Sequence, residues 1–409
     1  MKKNTLFVMI LSALLLTACN GSQPSGDLLG ENAEALWELQ GDATISDGFL
    51  TLNEGAAALL KKERYDNFEL SLTLRLTETG RGFLAFHSDE AMTKGYKVAL
   101  DNDLNDEEWW TKTGSLLGVR NLTKSVVKSN EWFNMILCVE GNAITILLND
   151  TPVVEYIEPA APYRTEEHAL QLLSNGTFAL KSDAGTIEVS AMSLALLPAT
   201  TDLSTQLADA IDETDDQIIR LHQENFPVLD YHVHLKGISA DEAAAQSRRY
   251  GINYALAPNC GIGFPITSNE EVLQYLKEME GQPFIQAMQG EGREWPETFS
   301  KEVRDRFDYV FTDALTFTDR KGRRTRLWIP EEVFIEDEEQ YMDLIVEKIV
   351  VVMQEPMDVY VNPNFLPDVM NDRYDAFWTD ERMDRVITAL KETDKVLEIN
   401  HRYRIPNQA

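Results

Sequence analysis

Between about Trp37 and Leu197, apolar residues recur at every second position along the chain. In FELSLTLRL, Phe68, Leu70, Leu72, Leu74 and Leu76 alternate with polar or charged neighbours, the period of a strand with one face in a core. AITILLNDTPVVEY reads as two strands around an Asn149-Asp150 turn. Further strands are predicted at DGFLTLN, GFLAFHS, YKVALDN, EWFNMILCVEG, ALQLLS and IEVSAMSLALL. Many short strands separated by turn residues, with almost no helical period, predict an all-β jelly-roll sandwich.

The period then changes. In TDLSTQLADAIDETDDQIIRLHQENF, Leu203, Leu207, Ile211, Ile218 and Leu221 fall near helical spacing, with Asp202 as N-cap after Pro198. This predicts a linker helix on which His222 is a packing or solvated residue. Beyond it, the short apolar runs VLDYHVH, NYALAPN, PFIQAMQGE, YVFTDAL, VYVNP and VLEIN alternate with the helical segments SADEAAAQSRRY, SNEEVLQYLKEME, SKEVRDRF, DEEQYMDLIVEKIVVVM and TDERMDRVITALKET. Repeated strand then helix means parallel strands joined by crossovers. No Gly-rich phosphate turn follows the first strand, so a TIM-like α/β barrel is expected rather than a dinucleotide-binding sheet.

Each of the six runs ends in groups able to bind a metal or a substrate: His232 and His234, Asn259, Glu291, Asp313, Asn362, then Glu398 and Asn400. In VLDYHVHLKG, Asp230, His232 and His234 stand two residues apart, so a strand turns all three to one face. In parallel barrels the carboxyl ends of the strands hold the site.

Length and charge bound the remaining possibilities. At 409 residues the chain favours two or three domains. Its 68 acidic against 37 basic residues, a net charge of −31, repel a phosphate backbone and argue against nucleic-acid binding. Lys2 and Lys3 precede an apolar run from Leu6 to Leu16, the length of a signal-peptide core and too short to span a bilayer. LTAC, Leu16 to Cys19, resembles the bacterial lipobox, which implies lipidation of Cys19. The tether NGSQPSGD follows. Asn20 in place of an inner-membrane retention aspartate favours an outer-membrane anchor facing the periplasm, with membrane contact through the lipid alone. The expected organisation is signal peptide and lipobox 1–19, tether 20–32, sandwich 33–198, linker helix 199–226 and barrel 227–409. Cys138 and Cys260 fall in different predicted domains, so no disulfide framework is implied.

The order and spacing of YDNFELSLTLRL, GYKVALD, EWFNMILCVEGNAITILLND and IEVSAMSLALL resemble the 3-keto-disaccharide hydrolase-like domain, a concanavalin-like jelly roll. The family has an Asn-Ser-Gly stretch where this chain has GRGFLAFHS, and a Glu and a Gln where GYKVALD has Lys97 and Ala99. These exchanges take polar groups off the face where a sugar would sit, so binding or packing is expected there rather than cleavage. His87, Tyr96, Asp101 and Trp110 are the candidate carbohydrate-binding residues.

From about residue 225 onward, DYHVHLKG, GREW, YVFTDALTFTD, RLWIPEEV and INHRYRIP together resemble a secreted branch of the polymerase and histidinol phosphatase (PHP) family. That resemblance implies a distorted (β/α)7 barrel, two or three divalent ions and a water-activating hydrolase, often of phosphate esters. His232 and His234 match the family's opening pair, and Glu291 its bridging carboxylate. Asn259 and Asn362 stand where members have histidines, and no final Asp-x-His is found. The chain stops nine residues after VLEIN, before a seventh strand, so a C-terminally truncated barrel is expected.

An ion held by His232, His234 and Glu291 would bring its bound water to a pKa of about 7. Asp313 is then a further ligand or general base, Glu291 shares the catalytic role, and Asp230 would orient His232. Mn, Zn or Fe is the expected cofactor. Asn259, Arg293, Arg324, Asn362 and Asn400 are candidate substrate contacts, and RKGRRTRLW offers arginine forks to an anionic substrate such as a phosphate ester. Cys260 is a weak candidate nucleophile, with no histidine assigned beside it. The first expectation is therefore a lipid-anchored, metal-dependent hydrolase with an accessory carbohydrate-binding sandwich. The alternatives are 3-keto-glycoside or disaccharide hydrolysis in the sandwich, and a non-catalytic glycan-binding lipoprotein.

Overall fold

The computed structural model describes residues 26–61, 64–103, 108–198 and 213–400. Cys19, the signal peptide, most of the tether and the first part of the linker helix with Asp202 lie outside the described residues. Contacts divide the chain into two units. The first holds residues 1–230, 238–254 and 281–284, and the second holds 231–237, 255–280 and 285–409.

The first unit is a sandwich of two sheets. One contains β1 (Gly26–Asp27), β3 (Ala43–Ser46), β4 (Phe49–Leu52), β6 (Phe68–Leu76), β9 (Phe133–Glu140), β10 (Ala143–Leu148), β11 (Thr151–Ile157) and β13 (Ile187–Leu196). Its order is β11-β10-β9-β6-β13-β4-β3, with β1 beside β13. The other contains β2 (Trp37–Gln40), β5 (Ala57–Leu60), β7 (Arg81–Ser88), β8 (Tyr96–Asp101) and β12 (Thr177–Ala184), in the order β2-β5-β12-β7-β8.

The alternation read in the sequence is the burial pattern of the fold. Phe68, Leu70, Leu72, Leu74 and Leu76 of β6 are buried and the residues between them are half-buried. They pack with Leu84, Phe86, Val98, Leu100, Val189 and Met192 in one core. Asn149 and Asp150 take φ of 47° and 64°, the double left-handed turn that joins β10 to β11 without splaying them. Gly82 is required by close approach: a Cβ there would fall 1.9 Å from the Lys181 carbonyl oxygen of β12.

Several strand assignments change. ALQLLS forms turns rather than a strand, with Leu170 and Leu172 exposed. The strands β5 and β12 were not expected, because AALL is too short and TFALKSDA too irregular to show a period of two. Helix Glu213–Gln223 is anchored within this unit. His222 donates from Nε2 to Gly251 O at 2.8 Å, and Asp215 pairs with the buried Arg120 at 2.6 Å.

The second unit is built on a parallel half-barrel sheet. The sheet runs β14 (Leu229–Val233), β15 (Asn253–Leu256), β17 (Ile285–Gly290), β18 (Tyr309–Thr312), β21 (Val359–Tyr360) and β22 (Val396–Leu397) in that order, with β16 (Asn259–Cys260) also pairing β17; the first two residues of β14 and of β15 are counted with the first unit. Every pair from β15 onward is parallel. The connecting helices start where their caps predict: Ser268, Asp337 and Thr379 each accept a backbone N–H of the first turn. Helix Glu338–Val352 buries Met342, Ile345, Val346 and Ile349 into the second core. The basic run RKGRRTRLW falls in an antiparallel hairpin of β19 (Thr316–Thr318) and β20 (Arg324–Arg326).

Six strands spaced about 4.8 Å apart would separate the edges of a flat sheet by over 20 Å. His232 of β14 and Glu398 just after β22 instead meet at 2.9 Å, so the sheet curls until the ends of its first and last strands touch. A closed ring is not formed among the described residues, where β14 and β22 remain the two edges.

Candidate functional site

The outer face of the smaller sandwich sheet bounds a cavity of about 840 Å³, within the range of small-molecule sites. Its floor is laid by residues of β7 and β8 that point away from the core: Arg81, Phe83, Lys97, Ala99 and Asp101. Phe83 and Met92, which line the cavity, pack against a small buried cluster of Ala57, Leu59, Ala85 and Ala179. Asn121, Glu167, His168, Gln171 and Asn225 supply polar walls. His168 is the ring with chemistry to offer. Its Nδ1 lies 2.7 Å from the Thr165 hydroxyl, and burial lowers its proton affinity, so the imidazole is neutral near pH 7. When Nδ1–H donates to Thr165, the Nε2 lone pair is left as a base.

Of the expected carbohydrate contacts, two are elsewhere. His87 is buried: Ser174 N donates to its Nδ1 at 3.2 Å, and its Nε2 faces the Asp66 carbonyl at 2.9 Å. Both ring nitrogens are thus used by a neutral imidazole, and burial holds its pKa at about 4. Tyr96 points into the core, where its hydroxyl meets Glu158 and Arg164. Asp101 does line the cavity, but its carboxylate is 3.3 Å from the fully buried Lys112 ammonium. Trp110 donates to Asn225, a residue of the cavity wall, at 3.0 Å. His168 was missed because it stands just before ALQLLS, outside every predicted element, where nothing in the spacing marks a base.

In the second unit the polar strand ends converge as a network of carboxylates held by amides. Asn259 Nδ2 donates to Glu291 Oε1 at 2.7 Å, and Asn362 Nδ2 to Asp313 Oδ2 at 2.9 Å. The Asn362 backbone N–H donates to Glu398 Oε2 at 2.7 Å, and Asn400 Nδ2 to the same oxygen at 3.1 Å. Asn259, Asn362 and Asn400 therefore fix carboxylates rather than present their donors to a substrate. Burial, then the charge of Asp313, pushes Glu291 up to about 8. Burial also raises Asp313.

The histidine pair is the most constrained feature. His232 Nδ1 is 2.9 Å from Glu398 Oε1, and His234 Nδ1 is 2.6 Å from Ala257 O. Both acceptors require N–H on Nδ1, so in the neutral rings each Nε2 carries a lone pair, and the two Nε2 atoms face each other at 3.2 Å. Two lone pairs at that distance repel unless a proton or cation lies between them. Nitrogens bound to one ion at about 2.1 Å sit roughly 3.0–3.4 Å apart, so the pair fits two ligands of a divalent metal.

The expected third ligand is not gathered with them. Among the described residues no group of three or more His, Cys, Asp and Glu side chains forms a metal cluster. Glu291 Oε1 is taken by Asn259, and its Oε2 is buried without a hydrogen bond. The orienting partner of His232 is Glu398, whereas Asp230 is exposed.

The remaining candidates are reassigned by their partners. Arg293 donates to Asp313 O at 2.7 Å and pairs with Glu355 at 3.2 Å, which makes it a brace rather than a free fork. In the basic hairpin, Arg320, Lys321, Arg323 and Arg326 pair with Glu347, Glu336, Asp319 and Glu332. Arg324 alone of the five bonds a carbonyl, that of Ile262 at 2.9 Å, and is exposed. Cys260 is a buried free thiol whose ionisation burial opposes strongly, so it is no nucleophile.

The first unit is thus a jelly-roll-like β-sandwich with a basin on one sheet. Residues 21–193 match the family model of the 3-keto-alpha-glucoside-1,2-lyase-like domain, 173 of the 409 residues. Solved structures similar to the chain include a provisionally named glycosyl hydrolase from Parabacteroides distasonis ATCC 8503, at 21% identity, 42% of this chain, 98% of that chain and a TM-score of 0.35. The carbohydrate-binding module CBM66 from Bacillus subtilis matches at 16% identity, 39% of this chain, 95% of that chain and a TM-score of 0.29. The Ca2+- and mannose-bound exoplasmic/lumenal domain of VIP36 matches at 12% identity, 41% of this chain, 85% of that chain and a TM-score of 0.30. No curated protein matches the chain.

Proposed function

We propose that the sandwich acts on a glycoside carrying a ketone at C3, by elimination or hydrolysis, in the basin of the smaller sheet. The observation that carries this reading is a cavity of about 840 Å³ with a neutral His168 on its wall, inside the segment matched by the lyase-like family model. A C3 ketone acidifies the neighbouring C2–H. His168 Nε2 is suited to take that proton, after which the C1–O bond breaks and the leaving alcohol takes a proton from water or a neighbouring acid. Phe83 offers an aromatic platform for the sugar ring, and Asn121 and Gln171 offer hydroxyl partners.

Release of alcohol from methyl 3-keto-α-glucoside by the purified chain tests the reading. His168→Gln should lower kcat by about 100-fold or more with little change in KM. Tight binding without turnover would instead favour a glycan-binding lipoprotein, and neither binding nor turnover would remove the proposal.

A second reading has its own observation, the facing lone pairs of His232 and His234. As a divalent-metal hydrolase of PHP type, the second unit would hold an ion on these two nitrogens, with Glu398 orienting His232. Such an ion supplies an activated water for attack on a phosphate ester or related anion. The chain's own contribution is a set of buried carboxyl groups, Glu291 and Asp313, whose crowded negative charge a cation would relieve. Anchoring through a lipid on Cys19 in the periplasm belongs to either reading, and radiolabelled palmitate incorporation lost in Cys19→Ser would support it.

A further inference from the structure

Lys97 is a half-buried amine on the floor of the basin, and among the described residues its Nζ has no hydrogen-bond or ion-pair partner. It lies 4.6 Å from the centroid of the Phe83 ring. Lys181 Nζ lies 5.8 Å from the same centroid, but Asp183 holds it at 2.6 Å. The strand register explains the arrangement: Phe83 faces Lys181 across β7 and β12, while Ala85 faces Lys97 across β7 and β8. The two lysines therefore flank one ring from the strands on either side of β7.

A lysine set on apolar surface beside a second cation is shifted toward its neutral, nucleophilic form. The charged groups acting on Lys97 are Lys181, which favours the neutral amine, and Asp183 and Asp89, which oppose it. Burial is the largest influence, and the net direction is a lowered proton affinity.

We propose that Lys97 captures the ketone of the bound sugar as a Schiff base. This rests on the reading of the basin given above. The neutral Nζ adds to the C3 carbonyl carbon, and the resulting carbinolamine takes a proton from solvent and loses its hydroxyl as water to give an iminium. The positive nitrogen withdraws electrons from C2, whose proton passes to a base. The C2–H electron pair forms the enamine, the enamine expels the C1–O bond, and the departing oxygen takes a proton. Water then adds to the iminium carbon, restoring the ketone and the amine, so no oxidant or reductant is consumed.

The base stands on adjoining backbone. Leu117 N donates to Lys97 O at 3.0 Å, and a Cβ on the next residue, Gly118, would lie 3.2 Å from His168 Nε2.

The test uses the full chain with methyl 3-keto-α-glucoside and sodium cyanoborohydride, followed by peptide mass spectrometry. One reduced adduct is expected on Lys97, with none from the parent methyl α-glucoside and none in Lys97→Arg, which keeps its charge and ring contact. Without reductant, Lys97→Arg should lose at least about 100-fold in methanol release, and Lys97→Cys alkylated with 2-bromoethylamine should regain at least about tenfold. Turnover or binding without an adduct on Lys97, or undiminished turnover in Lys97→Arg, overturns the proposal and leaves the basin's substrate class standing. Absence of adduct, turnover and calorimetric binding together removes that substrate class, and the proposal with it.

Discussion

Asp101 separates a packing role from a ligand role within one residue. It borders the basin, yet its carboxylate is the counter-charge of Lys112, whose side chain is fully buried with Nζ 3.3 Å from Asp101 Oδ2 and also bonded to the Asp103 carbonyl. Asp101→Ala leaves an ammonium buried without its anion, a loss of about 3–5 kcal/mol. For a domain of this size each kcal/mol moves Tm by about 2–4 °C, so scanning calorimetry of the full chain at pH 7 should show the sandwich transition falling by roughly 10 °C. The cost comes from the stranded charge, not from the lost aspartate itself. Asp101→Ala with Lys112→Met should therefore recover most of it, to within about 2 kcal/mol of the parent. A single variant within about 1 kcal/mol of the parent would refute the argument, as would a double variant as unstable as the single. If the double variant is stable and glycoside affinity is unchanged, Asp101 is a structural member of the basin wall.

Two further outcomes follow from the histidines. His87 and His222 are buried and neutral, with pKa values held near about 4 and about 3 against the ordinary 6.5. The unfolded chain takes up these protons first as pH falls, so sandwich stability is full above about pH 6.5 and declines from there toward pH 4, by on the order of 3 kcal/mol per histidine. Urea titrations at stepped pH should show His222→Gln losing about half of that decline, and an unchanged slope would count against it. In the second unit, Glu398→Gln removes the carboxylate that orients His232, so Mn2+ affinity measured by calorimetry should fall by about 10–100-fold while the melting temperature changes little. Equal Mn2+ binding in parent and variant would contradict the second reading.

The elements were legible wherever one face is buried and the other is wet. The strand β6 alternates without a break, and the Asn149-Asp150 hairpin is set by residues tolerant of positive φ. By contrast, β5 is buried on both faces, and four buried residues in a row carry no period to read. Leu170 and Leu172 of ALQLLS alternate correctly yet stay exposed, because alternation specifies a strand only when a core covers one side. The polar strand ends of the second unit were visible for the opposite reason. A buried carboxylate or imidazole is costly unless partnered, so several of them ending apolar runs had to meet. What spacing did not reveal was which partner each would take, because Glu398 reaches His232 across 166 residues only when the sheet curls.

The partnerships also explain why residue type alone misassigned roles in both units. Arg293, Asn259 and Asn362 look like substrate ligands on a list, but each already spends its donors on an acceptor within the fold. His87 looks like a sugar contact until both of its nitrogens are counted. Hydrogen-bonding capacity that the fold consumes is lost to a ligand, and capacity it leaves open at a cavity is what chemistry can use. By that criterion the basin offers His168 Nε2 and Lys97 Nζ. Neither stands out in the sequence, and the family resemblance marks Lys97 as a departure at a position otherwise held by glutamate. An amine in place of a carboxylate on the same floor changes the reaction the floor can assist: a carboxylate can move a proton or attack as an oxygen nucleophile, whereas an uncharged amine can condense with a ketone to an iminium.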